Sequence, residues 1–196
     1  MRLLGTTTSP YTRKIRVVLN AIGKPYEFLD IRTEPGVSAL REAAPLGKIP
    51  VLLPDETGTA LPDSSLIVSW LWARESAALR AAGWDLDPMA FADRALQSVV
   101  EGALDAAINH RYLRLDGFAE SGYIAKQRQR VDRVLNWLDE RVVFQRPLGA
   151  AALSLGCALD WIAFRDVLDL SQWPALSDFR QKWKASGVGG GTEPRE

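Results

Sequence analysis

Pro45-Leu46-Gly47-Lys48-Ile49-Pro50-Val51-Leu52 is the stretch on which the fold turns. Its apolar end is short and is followed by turn residues at Pro54 to Gly58, so Ile49 to Leu53 reads as a strand. Pro50 donates no ladder hydrogen bond. A proline of this kind belongs at an edge or a deliberate bend, and a cis bond is one way to make it fit. An edge strand held that way leaves the N–H and C=O of Ile49 free to pair with a peptide-like ligand by strand addition. An incidental proline in a plain edge strand explains the stretch equally well.

Downstream, Thr59 to Leu61 reads as the return strand of an antiparallel hairpin. Asp63, Ser64 and Ser65 then supply cap chemistry for a helix carrying Leu66, Ile67, Trp70 and Leu71. Upstream, Arg2 to Gly5 is a short buried strand and Thr6 to Pro10 a polar loop. Ile15, Val18, Leu19 and Ile22 fall at i, i+3, i+4 and i+7, the apolar stripe of a helix ended by Gly23 and Pro25. Tyr26 to Ile31 gives a second strand, parallel to the first through that helix, and Val37 to Ala43 a short irregular or helical stretch. A βαβ unit, a hairpin and a helix, in that order, make a thioredoxin-like domain.

The composition changes after Trp72. From Met89 onward helical periodicity dominates, through Val99, Val100, Leu104 and Ile108 and then Val131, Val134, Leu135 and Leu138. Leu153 to Leu168 is apolar nearly all round, the pattern of a buried central helix. The expected organisation is therefore α/β plus all-α: a thioredoxin-like domain at 1–77, a linker at 78–87 and an all-helical domain at 88–196. The tail at 186–196, with four glycines and a proline, reads as irregular or mobile.

With 196 residues, 47% hydrophobic and 24% charged, the chain has enough apolar side chains for a sizeable core. Its 24 basic and 24 acidic residues balance, so it lacks the positive surplus with which nucleic-acid binders displace counterions. The single cysteine, Cys157, cannot form an internal disulfide, and no run approaches 18 apolar residues. The expectation is a soluble, unprocessed cytoplasmic protein that binds neither nucleic acid nor membrane.

Three local features converge on one chemistry. Ser9, before Pro10-Tyr11-Thr12-Arg13, places a hydroxyl at a helix start, where free backbone N–H groups and the positive end of the helix dipole favour a thiolate. Ile49-Pro50 offers an extended backbone partner. Asp63-Ser64 at the next helix start can hold an ammonium and a carboxylate. Each of the two helix-start features taken alone is more simply a cap; together they suit a small peptide bearing a thiol, an extended backbone, and an amine and carboxylate at one end. That peptide is glutathione.

Over nearly its whole length the sequence resembles the cytosolic glutathione S-transferases of bacteria. The likeness lies in Ser9 to Arg16, in Pro45 to Leu52, in Asp63-Ser64 before Ile67, and in Cys157-Ala158-Leu159-Asp160-Trp161-Ile162-Ala163-Phe164-Arg165. It implies a homodimeric detoxification enzyme that joins glutathione, as cosubstrate, to a small and mostly apolar electrophile. Ser9 would be the catalytic hydroxyl on the glutathione sulfur, with Thr7 and Thr8 as rivals. Ile49 would pair with the cysteinyl unit, with Pro50 cis; Asp63 and Ser64 would hold the γ-glutamyl end, Lys48 the glycyl carboxylate, and Tyr11 would line the pocket. Serine instead of cysteine at position 9 argues against a mixed disulfide. A non-catalytic binding or regulatory protein of the same fold, or a glutathione-dependent isomerase, is the alternative, because one fold hosts many functions.

One departure from the family pattern stands out. The central helix usually opens with a capping box, but Gly149-Ala150-Ala151-Ala152 has no acidic partner, which puts the stability of that helix start in doubt. His110, the only histidine, has no cysteine cluster or HExxH spacing beside it, so no metal site is expected; a solvated helix position suits it, or the wall of the second-substrate pocket. Cys157 reads as an inert core thiol. Arg13, Lys14 and Arg16 suit a solvated face or a subunit contact. The seven tryptophans suggest large apolar interfaces or an aromatic pocket wall, with Trp70 and Trp72 candidates for a subunit interface.

Overall fold

In the computed structural model, which describes residues 1–118 and 121–196, the first half builds a four-stranded sheet. Strand β1 (Arg2–Gly5) leads through helix α1 (Pro10–Ala21) to β2 (Glu27–Asp30), then through α2 (Glu34–Ala43) to β3 (Val51–Leu53) and β4 (Leu61–Pro62). The sheet order is β2-β1-β3-β4. Strands β1 and β2 run parallel and the other two pairs antiparallel, with Leu3 opposite both Phe28 and Leu52. This is the thioredoxin-like arrangement. Helix α1 lies so close to the end of β1 that a Cβ on Gly5 would sit 2.3 Å from Thr12 Cγ2, so only glycine fits there.

The hairpin differs from its expected form in two ways. Pro50 lies outside the strand: the Ile49-Pro50 bond is cis and the ladder begins at Val51, because a residue without N–H cannot extend it. Strand β3 is interior rather than an edge, with β4 outside it. The return strand starts at Leu61 instead of Thr59, since Thr57 and Thr59 satisfy their polar groups on each other, as in the 3.3 Å bond from Thr59 N–H to Thr57 Oγ1.

Helix α3 (Ser64–Ala81) leads into a helical body of α4 (Phe91–Leu115), α5 (Gly122–Asp139), α6 (Ala150–Phe164) and α7 (Pro174–Ala185). No described helix is long and apolar enough to cross a membrane. The segment between α3 and α4 is packed: Trp84 and Leu86 are buried, and Asp85 N–H donates to the Leu148 carbonyl at 2.9 Å. Helix α6 is the centre of this body, and Cys157 within it is fully buried, its thiol pushed up to about 11 by that burial. Such a thiol is inert at neutral pH.

Arg13, Lys14 and Arg16 are not on a solvated face; they are 2%, 1% and 7% exposed. Helix α1 is wedged between the sheet and the helical body, so its polar side also faces protein. Each cation is therefore paired. Arg13 reaches Asp160 of α6 at 2.7 Å, Lys14 pairs with Glu101 of α4, and Arg16 donates to the carbonyls of Gly191 and Thr192. The tail is irregular, as expected, but docked: Thr192 is buried and its hydroxyl accepts from Arg13 Nε at 3.2 Å. The tryptophans serve mainly as core. Trp72, Trp84, Trp161, Trp173 and Trp183 are buried, and Trp84 and Trp183 meet edge to face with centroids 6.2 Å apart.

The start of α6 is capped after all, from another helix. Asp93, in the first turn of α4, accepts from the N–H of Ala150 at 2.6 Å and of Ala151 at 3.2 Å. Gly149 makes room for it, since a Cβ there would lie 2.4 Å from Asp93 Oδ1. The capping carboxylate thus lies far away in sequence, where a local motif search does not reach. Asp93→Ala should cost about 1–2 kcal/mol, the usual worth of an N-cap. In a chain of this size that is a fall in Tm of a few degrees by calorimetry; an unchanged Tm would show that the contact does not cap the helix.

Candidate active site

Two adjoining cavities, about 410 Å³ and about 690 Å³, share Tyr11, Lys48, Ile49 and Asp105 and form one cleft between the sheet domain and α4. The smaller also takes in Pro50, Asp63, Ser64 and Glu101; the larger takes in Thr8, Ser9, Asn109, Tyr112 and Trp161. Every residue expected at a glutathione site from the sequence, Ser9, Tyr11, Lys48, Ile49, Pro50, Asp63 and Ser64, lines this cleft.

The hydroxyls near the start of α1 differ in what occupies them. Ser9 is the N-cap: its Oγ accepts from Thr12 N–H at 3.1 Å, which uses a lone pair and leaves the O–H proton free to donate. Thr7 donates to the Arg195 carbonyl at 2.7 Å and is turned to the tail. Thr6 and Thr8 hydroxyls lie 3.2 Å apart and share a hydrogen bond. Tyr11 gives its proton to Asp105 Oδ1 at 2.6 Å. Burial, and then that bond, push the Tyr11 phenol far above its ordinary range, so it stays protonated and committed to Asp105.

Ile49 has no backbone hydrogen bond among the described residues, and the ladder that would have used it starts two residues later. Its N–H and C=O are thus open at the inner end of β3. Asp63 adopts φ 73°, unusual for a residue other than glycine, and its Oδ1 accepts from Ser65 and Leu66 N–H at 2.8 and 3.0 Å. Asp63 Oδ2 makes no hydrogen bond among the described residues.

Beneath Ser64 lies a buried polar network. Lys14 Nζ donates to Ser64 Oγ at 3.0 Å and pairs with Glu101, which also accepts from Gln97 Nε2 at 2.7 Å and Ser154 Oγ at 2.9 Å. Burial pushes the Glu101 carboxyl up, but the Lys14 ammonium and the neutral donors outweigh it and the net shift is down. Glu101 is therefore charged at neutral pH. Because Lys14 occupies a lone pair of Ser64 Oγ, the serine proton is directed elsewhere and can be offered to a carboxylate.

Sequence reasoning missed Lys14, Glu101 and the α4 wall of the cleft. Asp105, Ile108, Asn109 and Tyr112 fall at i, i+3, i+4 and i+7, a partly polar stripe that could have been read as a wall facing a site. Ile108 belongs to this wall, while Val100, Ala103, Leu104 and Ala107 form the core face. Val99 stands 37% exposed, off the stripe it was expected to share. His110 is neither solvated nor in the cleft; it is 7% exposed and lines a separate cavity with Asp166 and Val167. Of the tryptophans, only Trp161 lines the cleft. Trp72 is buried within the chain, stacked by Arg80, and Trp70 is stacked by Arg74.

Fold and cleft together make a glutathione S-transferase scaffold, and the chain matches the glutathione S-transferase N-terminal domain over residues 3–78. It is 26% identical over 174 residues to an uncharacterized GST-like protein, YibF, of Escherichia coli K12, covering 85% of this chain and 84% of that one. A glutathione S-transferase from Methylobacillus flagellatus KT, solved with glutathione bound, superposes with a TM-score of 0.84 at 28% identity over 99% of each chain. A family member from Pseudomonas fluorescens Pf-5, also solved with glutathione, gives 0.79 at 26% identity over 100% of this chain and 99% of that one.

Breaking the buried ion pair from one side should be costly. Lys14→Met leaves Glu101 partly buried without its cation, at about 3 kcal/mol. The Lys14→Met, Glu101→Gln double variant should recover most of that, because no lone charge remains. Urea denaturation of wild type, both single variants and the double variant reads the coupling; additive losses would show that the pair does not act as a unit.

Proposed function

We propose that the chain is an enzyme that transfers the glutathione thiolate to a small, mostly apolar electrophile. Residues 1–77 hold glutathione, 78–87 link, and 88–196 shape the electrophile pocket. The observation that carries this reading is the placement of three unrelated local features on one cleft: the Ser9 hydroxyl at the start of α1, the open backbone of Ile49 before cis Pro50, and the Asp63-Ser64 start of α3. The glutathione held by the relatives from Methylobacillus and Pseudomonas adds support.

In this reading glutathione lies extended along the smaller cavity. Its cysteinyl amide pairs with Ile49. The γ-glutamyl ammonium meets the Asp63 and Glu101 carboxylates, and its carboxylate takes the Ser64 hydroxyl proton and the Ser64 N–H. Lys48, exposed at the rim, reaches the glycyl carboxylate. The thiol then falls at Ser9, where the free O–H and the first N–H of α1, that of Tyr11, donate to sulfur. Lowering a thiol pKa by roughly two units takes about 2.7 kcal/mol, within reach of one hydroxyl and a helix N-terminus. The thiolate attacks an electrophilic carbon seated between Ile108, Tyr112 and Trp161; the new C–S bond forms as the leaving group departs or the acceptor double bond takes up the electron pair. The enzyme acts as a homodimer, the second copy covering apolar side chains such as Leu66, Met89 and Phe91, which stand 48%, 66% and 71% exposed in the single chain.

Ser9→Ala should raise the pKa of bound glutathione, followed by ultraviolet thiolate absorbance. It should lower kcat/KM with an aryl halide acceptor about 10- to 100-fold, the worth of one hydrogen bond to a charged group. No glutathione binding at millimolar concentration in the wild type would sink this reading, and binding without turnover of any electrophile would favour the non-catalytic alternative. Asp63→Asn keeps the cap and tolerates the left-handed backbone. It should leave Tm nearly unchanged yet weaken glutathione binding about tenfold by calorimetric titration; unaltered affinity would limit Asp63 to capping.

A further inference from the structure

A cavity of about 260 Å³, separate from the cleft, lies between the last turns of α4 and the turn that follows α6. It is lined by His110, Arg111, Arg114, Leu115, Asp166 and Val167. His110 is more than nine-tenths buried. The Arg111 guanidinium is held by donation from Nη1 to the Arg165 carbonyl at 3.3 Å, while its Nε is fully buried and has no partner. Asp166, just beyond α6, lies in the left-handed region, φ 49°.

A buried donor without an acceptor is costly, and Arg111 Nε at this cavity is one that an acceptor from outside would relieve. Among the described residues, three basic side chains line it against one carboxylate. From α5, Arg128 and Asp132 also act on His110, but they pair with each other at 2.9 Å and largely cancel. The surplus is therefore positive. A flat carboxylate would satisfy one guanidinium, whereas an imidazole and two guanidinium groups on different residues suit the several oxygens of a tetrahedral anion. Leu115 and Val167 give the remaining space an apolar side. We propose that His110, Arg111 and Arg114 form a second site, which binds the phosphate group of inorganic phosphate or of a small phosphate monoester.

The site faces away from the cleft but shares α4 with it: Asn109 and Tyr112, which line the cleft, flank His110 and Arg111 in sequence. It does not depend on the glutathione reading. Burial first, and then the charges of Arg114 and Arg128 against that of Asp132, push the His110 pKa below its ordinary value. A bound anion opposes this shift, so for a fixed charge state of the ligand binding takes up a proton at His110.

Because the chain has one histidine, its imidazole Cε1–H signal in NMR reports on this site alone. Titration of the full chain with inorganic phosphate, then with ethyl phosphate, at constant ionic strength should move that signal saturably and raise the apparent His110 pKa by about one pH unit. Chloride should do neither. Arg114 is exposed, so Arg114→Gln should keep the wild-type circular dichroism spectrum while weakening phosphate binding at least tenfold; Arg111→Lys, which keeps the charge but loses the fixed fork, should weaken it too. A shift that does not saturate, an equal response to chloride, or undiminished binding in Arg114→Gln would overturn the proposal.

Discussion

Helix α1 carries three cations into the interior, and the rest of the molecule is arranged to meet them. A buried ammonium or guanidinium without a partner costs several kcal/mol, so Arg13, Lys14 and Arg16 each dictate what must lie beside them. Asp160 of α6 answers Arg13 and is shared with Arg180 of α7 at 2.7 Å; Glu101 of α4 answers Lys14; the carbonyls of Gly191 and Thr192 answer Arg16. One helix of the sheet domain is thereby bonded to two helices of the other half, α6 and α4, and to the tail. This fixes the position of its first turn, and with it Ser9 and Tyr11, relative to the wall that α4 provides. The cleft exists because these charges cannot be left alone.

The same constraint explains the division of labour among the cleft hydroxyls. Tyr11 is held by Asp105 and Thr7 by the tail, so both serve as structure, whereas Ser9 is held only through its lone pair and retains a proton to give. Ser64 is arranged likewise, with Lys14 on its lone pair. Two serines at two helix starts thus share one device: an internal donor occupies the oxygen and turns the hydroxyl into a donor toward the cleft. Two carboxylates, those of Glu101 and Asp63, lie at the same end of the smaller cavity, which leaves that end suited to a group carrying both an ammonium and a carboxylate.

Cap chemistry shows where local reading fails. Ser9 and Asp63 cap the helices that directly follow them and were visible in the sequence for that reason. Helix α6 takes its cap from Asp93 across the molecule, so Gly149-Ala150-Ala151-Ala152 looks uncapped when read alone. His110 is a similar case. A lone histidine in a helical pattern gives no sign of which face will be covered, and only the packing of distant elements buries it.

The amino-acid sequence by itself determined the thioredoxin-like order of strands and helices, the cis-proline stretch, the helical second half, and the identity of Ser9, Tyr11, Lys48, Ile49, Pro50, Asp63 and Ser64 as cleft residues. The order of elements and the features at Ser9, Ile49-Pro50 and Asp63-Ser64 rest on periodicity, caps and turn chemistry, which act over a few neighbouring residues, whereas Tyr11, Lys48 and the cis form of Pro50 came from the family resemblance. Tertiary structure alone decided that three cations of α1 are interior, that Lys14 and Glu101 lie beneath Ser64, that Asp105 secures Tyr11, that the glycine-rich tail is docked, and that most tryptophans are core. These depend on which faces of distant elements meet, and a polar side chain facing solvent has the same local pattern as one facing a buried partner.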